Sequence, residues 1–573
     1  IYYIDLYIHI CYIVAIMYIE RVKSRQGDKV YTQVLLRESY RERGETGSKV
    51  KKRTLLNLTK YPESVIKTID LALKHKDSPD ELDHLLSGSV KQIQGRSVGA
   101  LWVLLHVCRE LGLDKIIGSS RHGLLCLWMV MARLLDQGSR LSAVRLAEEH
   151  AVCELLGIDP FTEDALYQSL EWLCEQQDAI EQKLFKKTYL KQAPTLFLYD
   201  VTSSYLEGDQ NELGDWGYNR DKKRGKKQIV IGLLCSDDGT PVSVRVFKGN
   251  TTDLKTFSAQ IEKTAKEFGC RQVTMVGDRG MIKSAQIEEI KEAGFHYITA
   301  ITKPQVRAML NSGVLQLGLF DSDLCEVEHE GIRYILRRNP LRAVELATSR
   351  ARRISAVQVF AEQQNRYLAD HPGADAFKAI QRVWEKSSKL QVDGFMKTTC
   401  PERTIKVEID EQYLAQVQEL DGCYALKTDL PIEDVPAQTV HDRYKDLAQV
   451  EQAFRTCKTG HLEVRPIYVR KESRTRGHVF IVMLAYLVRR QLAKGWRDLD
   501  VTVEEGLKKL STLCAVEHEV DGRQTGGMLS VPQPRSSIAQ LFSALAITPP
   551  SALPRHGGRV ASRKKLSGRR KSK

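Results

Sequence analysis

The spacing of apolar residues along this chain changes twice, and each change predicts a different architecture. Residues 28–59 alternate charged with β-branched residues and predict a small sheet or an extended arm. Between 90 and 190 the period lengthens. ALWVLLHVCRELGL (100–113), GLLCLWMVMARLL (123–135) and ALYQSLEWLCEQQDAIEQKLF (165–185) place apolar residues three and four apart, as helices do. From residue 194 short apolar runs take over. TLFLYDVTSSYL (195–206), QIVIGLLC (228–235) and the alternating PVSVRVF (241–247) predict three strands. DLKTFSAQIEKTAKEF (253–268) predicts a helix capped by Thr251, Thr252 or Asp253. A strand (QVTMVGD, 272–278), a helix (SAQIEEIKEAG, 284–294) and a strand (HYITAI, 296–301) follow. Three strands joined by short turns, then helix, strand, helix and strand, predict an α/β, ribonuclease-H-like half-domain. In it an antiparallel trio runs on into a parallel sheet.

Residues 306–437 break that rhythm. Strand-like IRYILRR, TIKVEI and CYALKT flank a helical stretch around 356–390, and the segment reads as a β-rich insertion in the catalytic domain. Helical character returns at 442–458 and 477–495. VFIVMLAYLV (479–488) is too short to span a bilayer and runs into Arg489 and Arg490, which predicts a buried core helix. The apolar start, IYYIDLYIHICYIVAI (1–16), is interrupted by Asp5 and His9 and lacks a signal peptide's basic start and cleavage site. It reads as an upstream or non-native extension ahead of Met17. The predicted division is that extension (1–16), a β or extended region (17–89), a helical DNA-binding domain (90–190), and the first catalytic part (191–305). The insertion (306–437), the second catalytic part (438–500), a C-terminal region (501–547) and a disordered basic tail (548–573) complete it.

Composition narrows the partners. A hydrophobic content of 42% excludes global disorder, and the lack of repeats excludes collagen and coiled-coil arrays. The net charge is +14, and Arg555 to Lys573 carry nine Lys and Arg with no acid, so a polyanionic partner fits. No membrane or small-molecule partner is expected. In a basic protein the helical region can hold a helix-turn-helix, although plain helix packing fits the same pattern. Twelve cysteines without a CxxC pair argue against a zinc ribbon and for a reducing compartment. His150 and Cys153 have ligand-like spacing but no second pair, and a buried helical position explains them equally.

The candidate chemistry rests on acids. Asp200 lies inside an apolar strand between Leu198, Tyr199 and Val201, and Asp278 closes the strand VTMVGD. A carboxylate in a buried strand is costly unless a cation or hydrogen bonds compensate it. Either acid alone reads as a backbone cap; both together, in this strand order, suggest a shared hard cation such as Mg²⁺. In YKDLAQVEQAFRTCK, Tyr444, Glu451 and Lys458 recur at a seven-residue spacing, which puts them on one helical face. A solvated charged face has the same spacing.

These residues carry a resemblance. The blocks LYDVTSSYLEG, GYNRDKKRGKKQIVIGLL, VFKGNTTDLKTF, VGDRGMIK, HYITAITK, DGCYALKTDLP, YKDLAQVEQAFRTCKTGHLEVRPIYVR and RGHVFIVMLAYL occur in order. Together they resemble a DDE transposase of a prokaryotic insertion sequence, from the branch with a β-rich insertion and a Y-x2-R-x3-E-x6-K signature. The resemblance implies Asp200, Asp278 and Glu451 as a metal-binding triad for two Mg²⁺ ions, with Mn²⁺ able to substitute. It also implies Tyr444 and Lys458 as signature partners, with Lys458 neutralising phosphate and Tyr444 contacting DNA near the cut. The implied reaction is phosphoryl transfer without a covalent enzyme intermediate. The expected partner is double-stranded DNA, both element ends and target, handled by a homodimer in the prokaryotic cytoplasm at the nucleoid. Arg465, Arg470, Lys471, Arg474 and Arg476 follow the signature helix, and Lys222, Lys223 and Arg224 lie in the basic loop KKRGKK (222–227); all are candidates for phosphate contacts. One position departs: Leu447 stands where the signature has Arg, and neither Arg443 nor Lys445 has the right helical angle. Two other readings remain at this level, namely a different ribonuclease-H-like nuclease such as a resolvase, and a catalytically inactive transposase-derived DNA-binding protein.

Overall fold

A computed structural model of the chain describes residues 16–553, apart from 27–28, 45–46, 76–89, 460–461, 466 and 521–522. The expectations for the apolar start and for the basic tail beyond 553 lie outside the described residues. The chain forms two compact units. One comprises the chain up to Arg96 with residues 514–533 and the C-terminal segment from Pro550. Its first sheet is antiparallel, Ile16–Gln26 with Lys29–Gly44 and Gly47–Asn57. The helix Glu63–Lys74 sets Ile66 against Val34 and Leu58. A second sheet joins Val90–Ser97 to the hairpin of Cys514–Val520 and Arg523–Ser530.

The other unit runs from Ser97 to Leu513 and includes residues 534–549. Helices α1 (Gly99–Leu111), α2 (Arg121–Leu135) and α3 (Glu163–Thr188), expected as a separate domain, belong to this unit together with the sheet. Thr162 caps α3 by accepting from the Ala165 N–H, and Leu166, Leu170 and Leu173 form its buried face.

The sheet then begins with β1 (Leu196–Tyr205), β2 (Gln228–Ser236) and β3 (Pro241–Lys248), an antiparallel trio. Helix α4 (Asp253–Glu262) leads to β4 (Thr274–Gly277), and α5 (Ser284–Glu292) leads to β5 (His296–Ala300). Strands β1, β4 and β5 are parallel neighbours, which is the ribonuclease-H-like arrangement. Alternation along β1 sends Phe197, Tyr199 and Val201 into a core with Phe257 and Met275. Leu198, Asp200 and Thr202 take the opposite face.

The insertion supplies three more strands to the same sheet: β6 (Cys325–His329), β7 (Ile332–Arg338) and β8 (Cys423–Thr428). β8 pairs antiparallel with β5, and the final order is β6-β7-β8-β5-β4-β1-β2-β3. Two short strands, Met396–Thr399 and Lys406–Ile409, pair with each other. The longest elements of the insertion are nevertheless helices, the 31-residue α6 (Pro340–Asp370) and the 14-residue α7 (Ala376–Lys389). They pack Val357, Ala361, Val383 and Phe395 into a core of their own. Helix α6 starts well before residue 356 because Asn339 caps it with Pro340 at its first position. Its buried side chains begin only at Val357, so its first half has no apolar stripe for periodicity to register.

The returning helix is two helices, α8 (Ala437–Lys445) and α9 (Leu447–Lys458), joined at Asp446. The single-face relation expected for Tyr444, Glu451 and Lys458 therefore holds within α9 alone, and Tyr444 belongs to the preceding helix. Helix α10 (Glu472–Gly495) is buried from Val479 through Tyr486. It crosses α3 so closely that a Cβ on Gly477 would lie 2.3 Å from the Leu170 carbonyl oxygen. No helix among the described residues is long and apolar enough to cross a membrane.

A buried ion network fastens α3 to the sheet. Glu181 is fully buried and accepts from Gln177 Nε2 (2.9 Å), Ser243 Oγ (2.9 Å) and the Val244 N–H (3.1 Å). It also pairs with Lys263, itself buried in the π-helical turn Lys263–Glu267 that continues α4. Asp178 meets the same ammonium at 2.9 Å.

Candidate active site

The parallel register pairs Tyr199 of β1 with Gly277 of β4. The next residues, Asp200 and Asp278, thus leave adjacent strands at one level. Helix α9 covers the Asp200 face: the Lys458 Nζ donates to Thr202 Oγ1 at 2.9 Å. As a result Asp200, Asp278 and Glu451 line one cavity of about 450 Å³, together with Tyr424, His441, Tyr444 and Leu447. A larger cavity, about 620 Å³, has Asp238 as its one carboxylate and touches none of the three acids.

The cavity is electrostatically unbalanced. Burial pushes the half-buried Asp200 carboxyl up to about 7, and the charges of Glu451 and Asp278 add to that; the Val201 N–H and the Arg220 guanidinium pull the other way. Arg220 is itself engaged by Asp253, at 2.8 Å from both carboxylate oxygens. Asp278 accepts from the Arg279 N–H at 2.7 Å and from the Tyr444 hydroxyl at 3.4 Å. Burial, then the Asp278 charge, raise the Tyr444 phenol, so it stays a protonated donor. Burial lowers the Lys458 ammonium, and the Asp221 carboxylate opposes that from 2.6 Å.

Asp221 is the residue that sequence reasoning missed. Its side chain is 1% exposed, and it holds Lys458 and Arg465 while accepting from the Tyr205 N–H at 3.1 Å. The only available signal was a lone acid at the head of the basic run DKKRGKK. Lys222, Lys223 and Arg224 follow it and are exposed. The later cations do not line the cavity. Lys471 and Arg474 both reach Glu171 of α3, at 3.2 and 2.7 Å, and Arg474 stacks over Tyr167. Arg476 pairs with Glu472 at 2.7 Å, and Arg470 is exposed.

The donor set suits a hard divalent cation: three carboxylates, no thiol, and mutual repulsion that a dication relieves. Among the described residues no three His, Cys, Asp or Glu groups stand at metal-ligand spacing. The fold brings the acids to one cavity without closing them into a ligand shell.

The raised Asp200 carboxyl makes a prediction about stability. Between about pH 4 and 7 the native state holds a proton that the unfolded chain releases, so stability falls as pH rises through that window. In chelator near pH 8, Asp200→Asn is expected to be more stable than the wild type by about 1–3 kcal/mol, with the gap closing near pH 4. Millimolar Mg²⁺ should raise the wild-type Tm and leave the variant's unchanged. Thermal unfolding across pH checks both, and an Asn variant no more stable at pH 8 contradicts the buried charge.

Residues 191–488 match the family model described as a transposase DDE domain. Residues 19–81 match the IS1634 family transposase N-terminal domain. The first match opens just before β1 and ends within α10, so it includes all three acids and the insertion. No curated protein matches the chain significantly. Among solved structures, similarity extends to a piggyBac transposase synaptic complex with hairpin DNA: 8% identity, 82% of this chain and 81% of that one, TM-score 0.33. It extends also to a Mos1 transposase paired-end complex with the left transposon end: 9% identity, 28% of this chain and 58% of that one, TM-score 0.14.

Proposed function

The chain belongs to the DDE transposases, whose domain spans residues 191–488, and from that premise we propose that Asp200, Asp278 and Glu451 hold divalent ions for cleaving and transferring the ends of its own mobile element. Mg²⁺ is the natural ion, with Mn²⁺ able to substitute. The observation that carries this reading is the shared cavity, in which burial and two neighbouring acids keep the Asp200 carboxyl near 7. When bound, divalent ions lower the pKa of the attacking water or 3′-OH and stabilise the leaving oxygen.

The chain's own residues do the rest. Asp200, Asp278 and Glu451 would together hold the ions, with Asp200 and Asp278 supplied by adjacent strands and Glu451 by α9. Tyr444 aims Asp278 by donating to it. Of the two signature partners Tyr444 lines the cavity, whereas the Lys458 ammonium is held by the Asp221 carboxylate and Thr202 Oγ1. Arg465 shares that brace, and Lys471, Arg474 and Arg476 already answer protein carboxylates. The exposed Lys222, Lys223, Arg224 and Arg470 are the residues we assign to backbone phosphates, giving binding that weakens steeply with salt. A homodimer bridging two ends, acting on the chromosome of a prokaryotic cell, completes the proposal.

The test is a supercoiled plasmid carrying the DNA that flanks the reading frame on both sides, incubated with full-length protein and a second target plasmid. Mg²⁺-dependent cutting at the flanks, abolished by chelator, followed by joining to the target, is the expected result. Cutting without joining supports a resolvase-like nuclease instead. Binding without cutting identifies an inactive copy.

A further inference from the structure

The insertion places Arg337 against two residues that line the cavity, whose own lining includes one Lys or Arg, Lys445 of α8, and has Leu447 where the signature has arginine. Strands β7 and β8 pair with Arg337 directly opposite Tyr424, so both side chains leave the same face of the sheet. There they meet His441 of α8. The Arg337 guanidinium donates to His441 Nε2 at 3.2 Å, and the Tyr424 hydroxyl bonds the same nitrogen. The Tyr424 and His441 rings stack with centroids 5.9 Å apart. Arginine has no acceptor, so with the ring's proton on Nδ1, 3.3 Å from Asp442 Oδ1, the single Nε2 lone pair is shared between the Arg337 and Tyr424 donors. Tyr424 and His441 line the same cavity as the three acids and Leu447.

What sets Arg337 apart is what it lacks. Its neighbours on β7 are neutralised, Arg333 by Glu326 and Arg338 by Asp321. Among the described residues Arg337 has no carboxylate partner. A guanidinium held in place by neutral groups keeps its full charge and most of its fork of donors for an anion.

We propose that Arg337, positioned by Tyr424 and His441, binds a phosphodiester beside the scissile bond, making from the insertion the contact that the signature arginine would make from position 447. The inference rests on the transposase reading and adds a phosphate-binding residue to it. Tyr424 and His441 act through Arg337 as positioning residues.

Single-turnover cleavage of a duplex made from the flanking DNA tests this, with end binding measured in parallel. Arg337→Gln is expected to slow cleavage by about 10²-fold at saturating protein, the usual cost of losing one oxyanion donor. Arg337→Lys, which keeps the charge, should lose no more than about tenfold. Replacing phosphates one at a time by neutral methylphosphonate should reveal one position beside the cut that slows the wild type about as much as Arg337→Gln does and slows that variant hardly further. A merely structural arginine gives no such position, and full additivity at every phosphate overturns the proposal. So does an Arg337→Gln protein that cuts within threefold of the wild-type rate while Asp200→Asn is dead. If Asp200→Asn also cuts, the acid site itself is misassigned.

Discussion

Asp200→Asn, Asp278→Asn and Glu451→Gln will each slow end cleavage by at least about 10³-fold, some 4 kcal/mol of barrier, while leaving end binding within a few fold. Each substitution keeps the size of the side chain and removes one negative charge, so it tests charge rather than packing. Asp200 is the strictest case, because its strand places it between buried Leu198, Tyr199 and Val201. An amide there relieves burial cost, and the fold has no reason to suffer. Asp278 and Glu451 are exposed, so their amides disturb still less. Binding should persist if the proposed phosphate contacts are right, because the exposed Lys222, Lys223, Arg224 and Arg470 do not line the cavity. Single-turnover cleavage and gel-shift titration on the same labelled duplex separate the two effects. A variant of any of the three that cuts at near wild-type rate removes that residue from the site.

The second large effect is on stability. Glu181→Ala is expected to cost about 3 kcal/mol, because it removes the one fully buried partner of a buried ammonium, leaving Asp178 and Glu267, and the acceptor for three further donors. Lys263 is 2% exposed and Glu181 is fully buried, so neither charge can turn to water. Glu181→Leu combined with Lys263→Met should recover at least about 2 kcal/mol relative to the sum of the singles, since an apolar pair leaves no uncompensated charge. Urea unfolding midpoints decide this. Singles costing under 1 kcal/mol show that the network does not fasten α3 to the sheet.

These two sites also show what the sequence makes legible. Asp200 stood out because its neighbours are apolar on both sides, and an acid in such a strand demands a reason. Strands β1 to β5 were legible for a related cause: one or both faces are buried, so the side-chain alternation is written into residue type. Glu181 carried no such flag. Within a long amphipathic helix, Asp178 and Glu181 look like solvated charges until the π-helical turn after α4 brings Lys263 against them. The first half of α6 was invisible because it has no fully buried apolar residue, and the break at Asp446 was invisible because Asp446 keeps right-handed helical angles. Asp221 and Arg337 were hidden by distance along the chain: each acquires its meaning from a residue on a remote element, Lys458 in one case and His441 in the other.

The position of α9 has a consequence for how the protein is made. Two of the three acids emerge early from the ribosome, but the third arrives only after the whole insertion has been translated. If the proposed triad is right, a nascent chain carries no competent centre until Glu451 has been added. On the proposed assignment, an interruption of the reading frame anywhere ahead of Glu451 yields a product that cannot nick DNA, however much of the sheet it assembles.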